Sequence, residues 1–240
     1  LILPTNNTNT SNSTLSFSFN ATDDLESTLN CSLFIDDIYN QSNSSTNNAT
    51  TTIFSSVPVP EGSQNWSVTC TDSVGNQGNS SVLNFVVDQT APTVKLISPA
   101  NLTNTSNTTI SLSFNATDNL FTTTNCSLFV NDVYNQSNSS TTNATTTIFA
   151  LSSLSDGSYN WTVQCTDNAG NRANASDSFG VDAPRIFTID NTAPVVTLNS
   201  PGTSSPTTWY LYYNFSFNFS VVDNLSTVMS CDLYIDDVLN

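Results

Sequence analysis

A segment of eight residues occurs twice in this chain, and this recurrence constrains the fold more than any other feature. Residues 65–72 read NWSVTCTD, residues 160–167 read NWTVQCTD, and a Gly-Asn pair follows each copy two residues later. Trp66, Val68 and Cys70 alternate with polar residues, so an extended strand has one apolar and one polar face. This alternation is typical of a strand in a β-sandwich, which has one buried and one solvated face.

The rest of the chain repeats with the same offset of 95 residues. Cys31 corresponds to Cys126, and a third copy at a larger offset contains Cys231. Such self-similarity indicates an array of similar domains. We therefore predict two complete repeats and the first half of a third, at residues 1–92, 93–194 and 195–240.

Each complete repeat contains about seven short segments of alternating apolar and polar residues, separated by turn residues. No segment of useful length has the period of a helix. The predicted fold class is therefore all-β, with tandem Ig-like or fibronectin-type β-sandwiches of about seven strands each. Within the first repeat we expect a hairpin turn at Asp36-Asp37, a polar loop at residues 43–48 and a turn at residues 72–78.

Composition excludes several classes of function. The 240 residues include 19 acidic residues, 3 basic residues and no histidine. Nucleic acids and anionic membranes need clustered Lys and Arg, so neither is an expected partner. Without histidine, a Ser-His-Asp or Cys-His nucleophile is excluded, and we predict that the segment is not an enzyme.

Cysteine usage points to an oxidising compartment. Each complete repeat has two cysteines, with no histidine and no closely spaced cysteine pair, which favours disulfides over a zinc site. The expected bridges are Cys31–Cys70 and Cys126–Cys165, whereas Cys231 has no partner in the segment. The alternative is two buried free thiols per repeat. Disulfides would place the chain outside the cytoplasm.

The sequence also suggests N-glycosylation. Asn-X-Ser/Thr triplets are frequent, although an Asn-, Ser- and Thr-rich chain produces some by chance. We expect the loops around residues 43–48 and 138–143 to be the best acceptors. The candidate sites are Asn20, Asn40, Asn43, Asn48, Asn65, Asn79, Asn101, Asn115, Asn135, Asn138, Asn143, Asn160, Asn174, Asn214 and Asn218.

Three motifs taken together resemble a known family. They are W-x-V-x-C-x-D-x-x-G-N from Trp66, V-D-x-T-A-P from Val87 and V-x-L-x-S-P from Val94. This combination resembles the tandem Ig-like repeats of prokaryotic, especially archaeal, cell-surface glycoproteins. The resemblance implies an extracellular repeat array acting as a stalk or adhesin that presents a distal region. Two alternatives stay open: a subunit of a self-assembling filament, sheath or surface lattice, and a module that binds glycans or a partner.

The cysteines depart from the antibody pattern, in which the disulfide joins strands B and F. Here the first cysteine lies on the third predicted strand, and Trp66 shares a strand with the second cysteine. This arrangement predicts a bridge between neighbouring C and F strands, as in a fibronectin-type domain.

The resemblance also implies a calcium site, although no cofactor is required for folding. Related repeats hold Ca²⁺ with aspartates of the V-D-x-T-A-P and T-D-x-x-G-N motifs. The alternative is that these aspartates only cap turns. The candidate ligands are Asp72, Asp88, Asp167 and Asp190, with Asp23 and Asp118 in a matching turn that converges on them.

The expected partners are copies of the chain or other surface proteins, together with covalent N-glycans. The aromatic run at residues 209–213 is either a contact surface or an ordinary edge strand. No apolar run approaches the length of a membrane span, and the chain does not begin with Met. We therefore expect an internal piece of a longer secreted or surface protein.

Overall fold

The computed structural model describes residues 1–176, 184–200, 216–235 and 237–239, and in these ranges the chain forms strands and no helix. The strands up to residue 87 are β1 Thr8–Thr10, β2 Thr14–Asn20, β3 Thr28–Ile35, β4 Ile38–Asn47, β5 Thr51–Pro58, β6 Gly62–Thr71, β7 Gln77–Asn79 and β8 Leu83–Val87. Those from residue 93 to residue 189 are β9 Thr93–Ser98, β10 Thr103–Thr105, β11 Ile110–Thr117, β12 Thr123–Val130, β13 Val133–Thr142, β14 Thr146–Leu151, β15 Gly157–Thr166, β16 Arg172–Asn174 and β17 Arg185–Ile189. The remaining strands are β18 Val195–Ser200, β19 Asn218–Val222, β20 Tyr234–Ile235 and β21 Val238–Leu239.

The chain groups into two compact units. Unit 1 comprises Leu1–Ile97, Ser113–Ile148 and Trp161–Pro184, and unit 2 comprises Ser98–Leu112, Phe149–Asn160 and Arg185–Asn240. The repeat boundaries after residues 92 and 194 are boundaries of sequence similarity, and as domain boundaries they stay a prediction.

The first repeat is a sandwich of two sheets. One sheet has the order β1-β8-β6-β3-β4 with β7 also paired to β6, and the other pairs β2 with β5. The core lies between the sheets, because apolar side chains of both enter one buried cluster. At its centre the ring of Phe17 meets those of Trp66 and Phe85 edge to face, with centroids 5.1 and 5.8 Å away. The predicted all-β sandwich is therefore confirmed.

The second repeat has the same strand order, with β10-β17-β15-β12-β13 in one sheet, β16 also paired to β15, and β14-β11-β9 in the other. The alternation that defined the repeat is also confirmed. Trp66 and Val68 are buried in the first copy, and Trp161, Val163 and Cys165 in the second. The strand pattern read from the sequence therefore corresponds to real burial on one face.

Both predicted disulfides are present. Cys31 lies opposite Cys70 on the neighbouring strands β3 and β6, and Cys126 lies opposite Cys165 on β12 and β15. Each bridge therefore joins adjacent strands of one sheet, as predicted from the position of the cysteines. Cys231 is exposed and unbridged among the described residues.

The predicted Asp36-Asp37 hairpin is also confirmed. Both residues have positive φ, 49° and 61°, which is the backbone of the two-residue turn that matches strand twist. Asn131 and Asp132 have the same conformation in the second repeat, with φ of 50° and 62°. Aspartate and asparagine tolerate this region better than most residues. The Asp36 carboxylate also accepts a hydrogen bond from the Asn65 N–H of the neighbouring strand β6 at 2.8 Å.

Two local predictions are wrong. Residues 43–47 do not form a loop but the second half of β4, which pairs with β3 across two register shifts. Strand β7 also begins at Gln77, inside the predicted turn of residues 72–78. Both strands lie at sheet margins, where apolar alternation is not required. In β4 only Thr46 is buried, so its sequence lacks a strand signature.

The aromatic run at residues 209–213 and the candidate acceptor Asn214 lie outside the described residues. In the part of the chain that is described, no helix has the length and hydropathy needed to cross a membrane.

Candidate metal site

Three carboxylates converge at the ends of three strands within unit 1. Asp88 follows β8, Asp118 follows β11 and Asp167 follows β15. One carboxylate oxygen from each lies within 4.8 Å of the others. Asp88 is 0% exposed and Asp167 6%, so the cluster is largely removed from water. Three like charges so close together and so dry repel each other unless a proton or a cation intervenes.

One oxygen of Asp118 and one of Asp167 serve the local backbone. The Asp118 Oδ1 accepts hydrogen bonds from the N–H groups of Leu120 and Phe121 at 3.1 and 2.8 Å. The Asp167 Oδ1 accepts from Ala169 and Asn171 at 2.8 and 2.9 Å. These bonds close the turns after the strands, as expected for aspartate at such positions. The turn-capping alternative from the sequence therefore accounts for one oxygen of each residue.

Asp88 is fixed in the same manner. Its Oδ1 accepts from the Thr90 N–H at 3.0 Å, and its own N–H donates to the Thr10 carbonyl at 2.9 Å. The Asn171 side chain links the cluster, since its Nδ2 donates to the Asp88 carbonyl at 2.7 Å and to the Asp167 Oδ2 at 2.8 Å. The carboxylates are therefore held in place by the backbone before any ligand binds.

Turn capping does not account for the second oxygens of Asp88 and Asp118. The Oδ2 atoms of Asp88 and Asp118 are buried and have no hydrogen-bond partner among the described residues. Burial, together with the charges of Asp118, Asp167 and Glu61, raises the pKa of the Asp88 carboxyl. A buried carboxylate oxygen without a donor is unfavourable, and a cation bound by oxygen ligands would relieve it.

The donor set fits a hard divalent cation. Ca²⁺ prefers six to eight oxygens from carboxylates, carbonyls and water. The three aspartates supply the carboxylates. A site with nitrogen or thiolate ligands is not available here, because the chain has no histidine and the four cysteines of the two complete repeats are bridged. Glu61 lies nearby and is held by Asn119 and Thr90, whose side chains donate to its Oε1 at 2.6 and 2.9 Å. Sequence reasoning missed Glu61, because the equivalent position of the second repeat is an aspartate, Asp156, and no glutamate recurs there.

The predicted calcium ligands are only partly brought together. The carboxylates of Asp88 and Asp167 lie close together, and that of Asp118 lies beside them. Asp72 does not belong to the cluster. Its carboxylate accepts from the Asn76 side chain at 2.7 Å and from nearby backbone N–H groups, as Asp167 does from Asn171, and these bonds lower the pKa of Asp72. Asp23 caps its own turn, accepting from the Glu26 N–H at 2.8 Å.

The last predicted ligand, Asp190, lies in unit 2 and belongs to no trio of acidic residues in the described ranges. Its Oδ2 accepts from the Ser226 hydroxyl at 3.0 Å. Its Oδ1 is buried without a partner among the described residues, like the free oxygens in unit 1.

The acceptor asparagines differ in accessibility. Asn48 and Asn143, expected to be among the best, are half-buried, and their Nδ2 atoms are already used. The Asn48 Nδ2 donates to the carbonyls of Asp23 and Glu26, both at 2.7 Å. Asn43, Asn65, Asn115, Asn138 and Asn160 are also half-buried. The exposed candidates are Asn20, Asn40, Asn79, Asn101, Asn135, Asn174 and Asn218.

Family models match most of the chain. A model of the bacterial Ig-like domain (group 3) matches residues 47–131 and 143–229, and a second bacterial Ig-like domain model matches residues 97–183. No curated protein matches the chain.

Three solved structures are similar to the chain at low sequence identity. The fibronectin(III)-like modules of Clostridium thermocellum CbhA are 14% identical, with a TM-score of 0.41 over 78% of this chain and 92% of that one. A 1.5-MDa bacterial ice-binding adhesin is 18% identical, with a TM-score of 0.39 over 78% and 62%. Dimeric latent PorU from Porphyromonas gingivalis is 12% identical, with a TM-score of 0.28 over 78% and 19%, so the chain spans less than two thirds of these last two proteins.

Proposed function

Because the chain belongs to the bacterial Ig-like domain (group 3) family, we propose that it is a non-catalytic extracellular repeat array, a stalk or adhesin segment that presents a distal region from a cell surface. We further propose that Ca²⁺ bound by Asp88, Asp118 and Asp167 stabilises it. The disulfides support an oxidising location. The archaeal origin and the N-glycans predicted from the sequence belong to the same proposal.

The single observation that supports the metal most strongly is the pair of unpartnered oxygens. Asp88 is fully buried, and the Oδ2 atoms of Asp88 and Asp118 are both buried without a hydrogen-bond partner among the described residues, in two members of the same 4.8 Å carboxylate cluster. A bound Ca²⁺ would neutralise the repulsion among the three carboxylates. The chain's own residues hold the ligands: the Thr90 N–H and the Asn171 side chain orient Asp88 and Asp167.

Calcium is expected to stabilise the wild-type chain and not the Asp88→Asn variant. At a concentration about 100 times the dissociation constant, a single bound ion adds about 2.7 kcal/mol to the free energy of unfolding. In EDTA the variant is expected to be at least as stable as wild type at neutral pH. The pKa of Asp88 is raised in the folded state, so its contribution favours folding at low pH and is lost as pH rises from the ordinary value of 3.8. Thermal unfolding with EDTA, Mg²⁺ or Ca²⁺ measures both effects.

Asp72→Asn is the matched control for this experiment. Asp72 occupies the equivalent turn of the first repeat but lies outside the cluster. This substitution removes a turn cap both in the presence and in the absence of calcium. The gain in the free energy of unfolding that calcium produces should therefore equal that of wild type. An equal calcium increment in wild type and Asp88→Asn would contradict the proposed site.

Glycan occupancy is expected to follow the accessibility of the asparagine amide. Asn40 and Asn135 are exposed on β4 and β13 and should carry glycans. Asn48 and Asn143 should not, because a glycan on Nδ2 replaces a hydrogen that bonds to a backbone carbonyl. Glycopeptide mass spectrometry of native material measures occupancy at each site. Modification of Asn48 or Asn143 with Asn40 and Asn135 unmodified would contradict this.

The surface location has a separate test. Antibodies against the first repeat should label intact cells of the native host, whereas labelling only after lysis would contradict the proposal. The alternatives of a self-assembling filament and a glycan- or partner-binding module stay predictions from the sequence, as do self-copies or other surface proteins as partners.

A further inference from the structure

The first and last strands of the first repeat are direct neighbours and run in the same direction. β1 pairs in parallel with β8, and its residues 8–10 lie opposite residues 85–87. Parallel neighbours need a long connection between them, and here this connection contains all the other strands of the sandwich. The two ends of the repeat are therefore bonded directly to each other.

Further hydrogen bonds extend this contact beyond the paired residues. The N–H of Asn7 donates to the Asn84 carbonyl at 2.6 Å, and the N–H of Asp88 donates to the Thr10 carbonyl at 2.9 Å. The side chain of Asn6 adds a bond, because its Oδ1 accepts from the Asn84 N–H at 2.9 Å. The two terminal strands are therefore joined along their whole length and on either side of it.

The second repeat has the same contact in the same register. β10 pairs in parallel with β17, and its residues 103–105 lie opposite residues 187–189. The N–H of Leu102 donates to the Ile186 carbonyl at 2.7 Å, and the N–H of Ile186 donates to the Oδ1 of Asn101 at 2.8 Å. These bonds recur although leucine and isoleucine replace two asparagines of the first repeat. The contact is therefore a property of the repeat and not of one set of side chains.

Tension along the chain would load this contact in shear. It would pull β1 towards its amino end and β8 towards its carboxyl end, and in a parallel pair these two directions are opposite along one axis. The hydrogen bonds run from strand to strand and are evenly spaced along that axis, so sliding strains all of them together. Strands peeled apart from one end would instead lose their bonds one at a time. Because forced unfolding is governed by the rate of the first rupture, a sheared contact resists tension best.

The disulfide divides each repeat into a loaded and an unloaded part. Cys31 and Cys70 join β3 to β6, so tension passes through the covalent bridge and bypasses the loop between them, which has a sequence separation of 39. This loop contains β4 and β5 and the exposed acceptor candidate Asn40. The bridge between Cys126 and Cys165 encloses β13 and β14 in the same way.

We propose that each complete repeat is a force-bearing unit. The parallel contact of its terminal strands is the clamp that resists tension, and its disulfide limits the extension once the clamp has failed. The use of this device on a cell rests on the proposed stalk function, because a stalk is pulled whenever the region that it presents is held in place. The clamp and the limit on extension are properties of the two repeats and are measured on the chain alone.

Single-molecule force spectroscopy of the whole chain, held at its two ends in EDTA, tests the extension limit. A dithiol in the buffer reaches the buried Cys31 only after the clamp has failed, so the rupture of each repeat should be followed by a second, separate step. This step should measure about 130–140 Å, because the 39 residues of the loop come under load at about 3.3–3.6 Å each. Without the dithiol the second step should be absent.

Asn9→Pro tests the clamp. Asn9 is the middle residue of β1, and its N–H points to β8 as that of Asn7 does two residues earlier, so proline interrupts the contact. The high-force rupture of the first repeat should be lost, whereas that of the second repeat in the same molecule should keep its force. Ser42→Pro is the matched control: it places a proline in the edge strand β4 inside the unloaded loop, and both rupture forces should equal those of wild type.

Asn6→Ala gives a second test if the proline variant does not fold. It removes only the acceptor of the Asn84 N–H and should lower the rupture force of the first repeat alone. Wild-type forces in the clamp variants, an equal loss in Ser42→Pro, or release of the loop in the first step without dithiol would overturn the proposal. These forces are independent of calcium, because the buffer contains EDTA. They are also independent of the surface labelling of cells, which tests the stalk function itself.

Discussion

Replacing Cys31 and Cys70 together by alanine is expected to lower the free energy of unfolding by about 4 kcal/mol. The bridge closes a loop with a sequence separation of 39 residues, and the chain-entropy model assigns a loop of this size about that stabilisation. The effect is large because a small domain is stable by only about 5–15 kcal/mol in total. Urea unfolding of the variant, followed by tryptophan fluorescence, measures the change.

Cys231→Ala is the control for this substitution. Cys231 is exposed and unbridged among the described residues, so its replacement should change the stability by less than about 0.5 kcal/mol. A double variant as stable as wild type would show that the bridge adds nothing to the fold.

The second large effect is expected for Trp66→Ala, which should cost about 3–5 kcal/mol. Trp66 is fully buried, its ring meets that of Phe17, and its Nε1 donates to the Pro4 carbonyl at 3.2 Å. Removing the side chain leaves a cavity between the two sheets and an unpaired carbonyl. Equilibrium unfolding in urea gives the free energy.

Tyr39→Ala is a matched aromatic control on the same sandwich. Tyr39 is 57% exposed and contacts Phe34 edge to face, so its removal should cost no more than about 1 kcal/mol. If the two variants lost equal stability, the face of β6 that carries Trp66 would not be the core of the domain.

The central strands could be predicted from the sequence because their burial leaves a signature. Trp66 and Val68 alternate with polar residues, and the cysteines recur in register, so both the sandwich and its bridges follow from pattern alone. Strands at the edge of a sheet leave no such signature. In β4 the neighbours are only on one side, a single threonine is buried, and its Asn- and Ser-rich sequence resembles a loop.

The candidate metal site could also be predicted only in part from the sequence. Asp88 and Asp167 follow core strands and carry recognisable motifs, so their importance could be predicted. Which aspartates meet depends on how strand ends are placed in three dimensions. Asp72 shares with Asp167 both its motif and its bond to an asparagine side chain, from Asn76 and Asn171 respectively, yet only Asp167 lies beside Asp88 and Asp118. Glu61 approaches the cluster from a turn whose counterpart in the second repeat carries Asp156, so its own residue type does not recur.

The accessibility of the sequon asparagines also could not be predicted from the sequence pattern. Asn40 and Asn48 have equally good triplets, yet the amide of Asn48 bonds to two backbone carbonyls from a turn more than twenty residues away. Only the folded arrangement shows that this side chain holds the turn together.

Direct calcium titration by isothermal calorimetry tests the central claim, that the buried carboxylates form a cation site. The wild-type chain should give a saturable heat below about 10 mM Ca²⁺, since extracellular calcium sites have dissociation constants of about 0.1 to 1 mM. The heat should disappear in Asp118→Asn, which neutralises one unpartnered oxygen, and persist in Asp72→Asn. No heat in the wild-type chain, or the same isotherm in Asp118→Asn, would contradict the account.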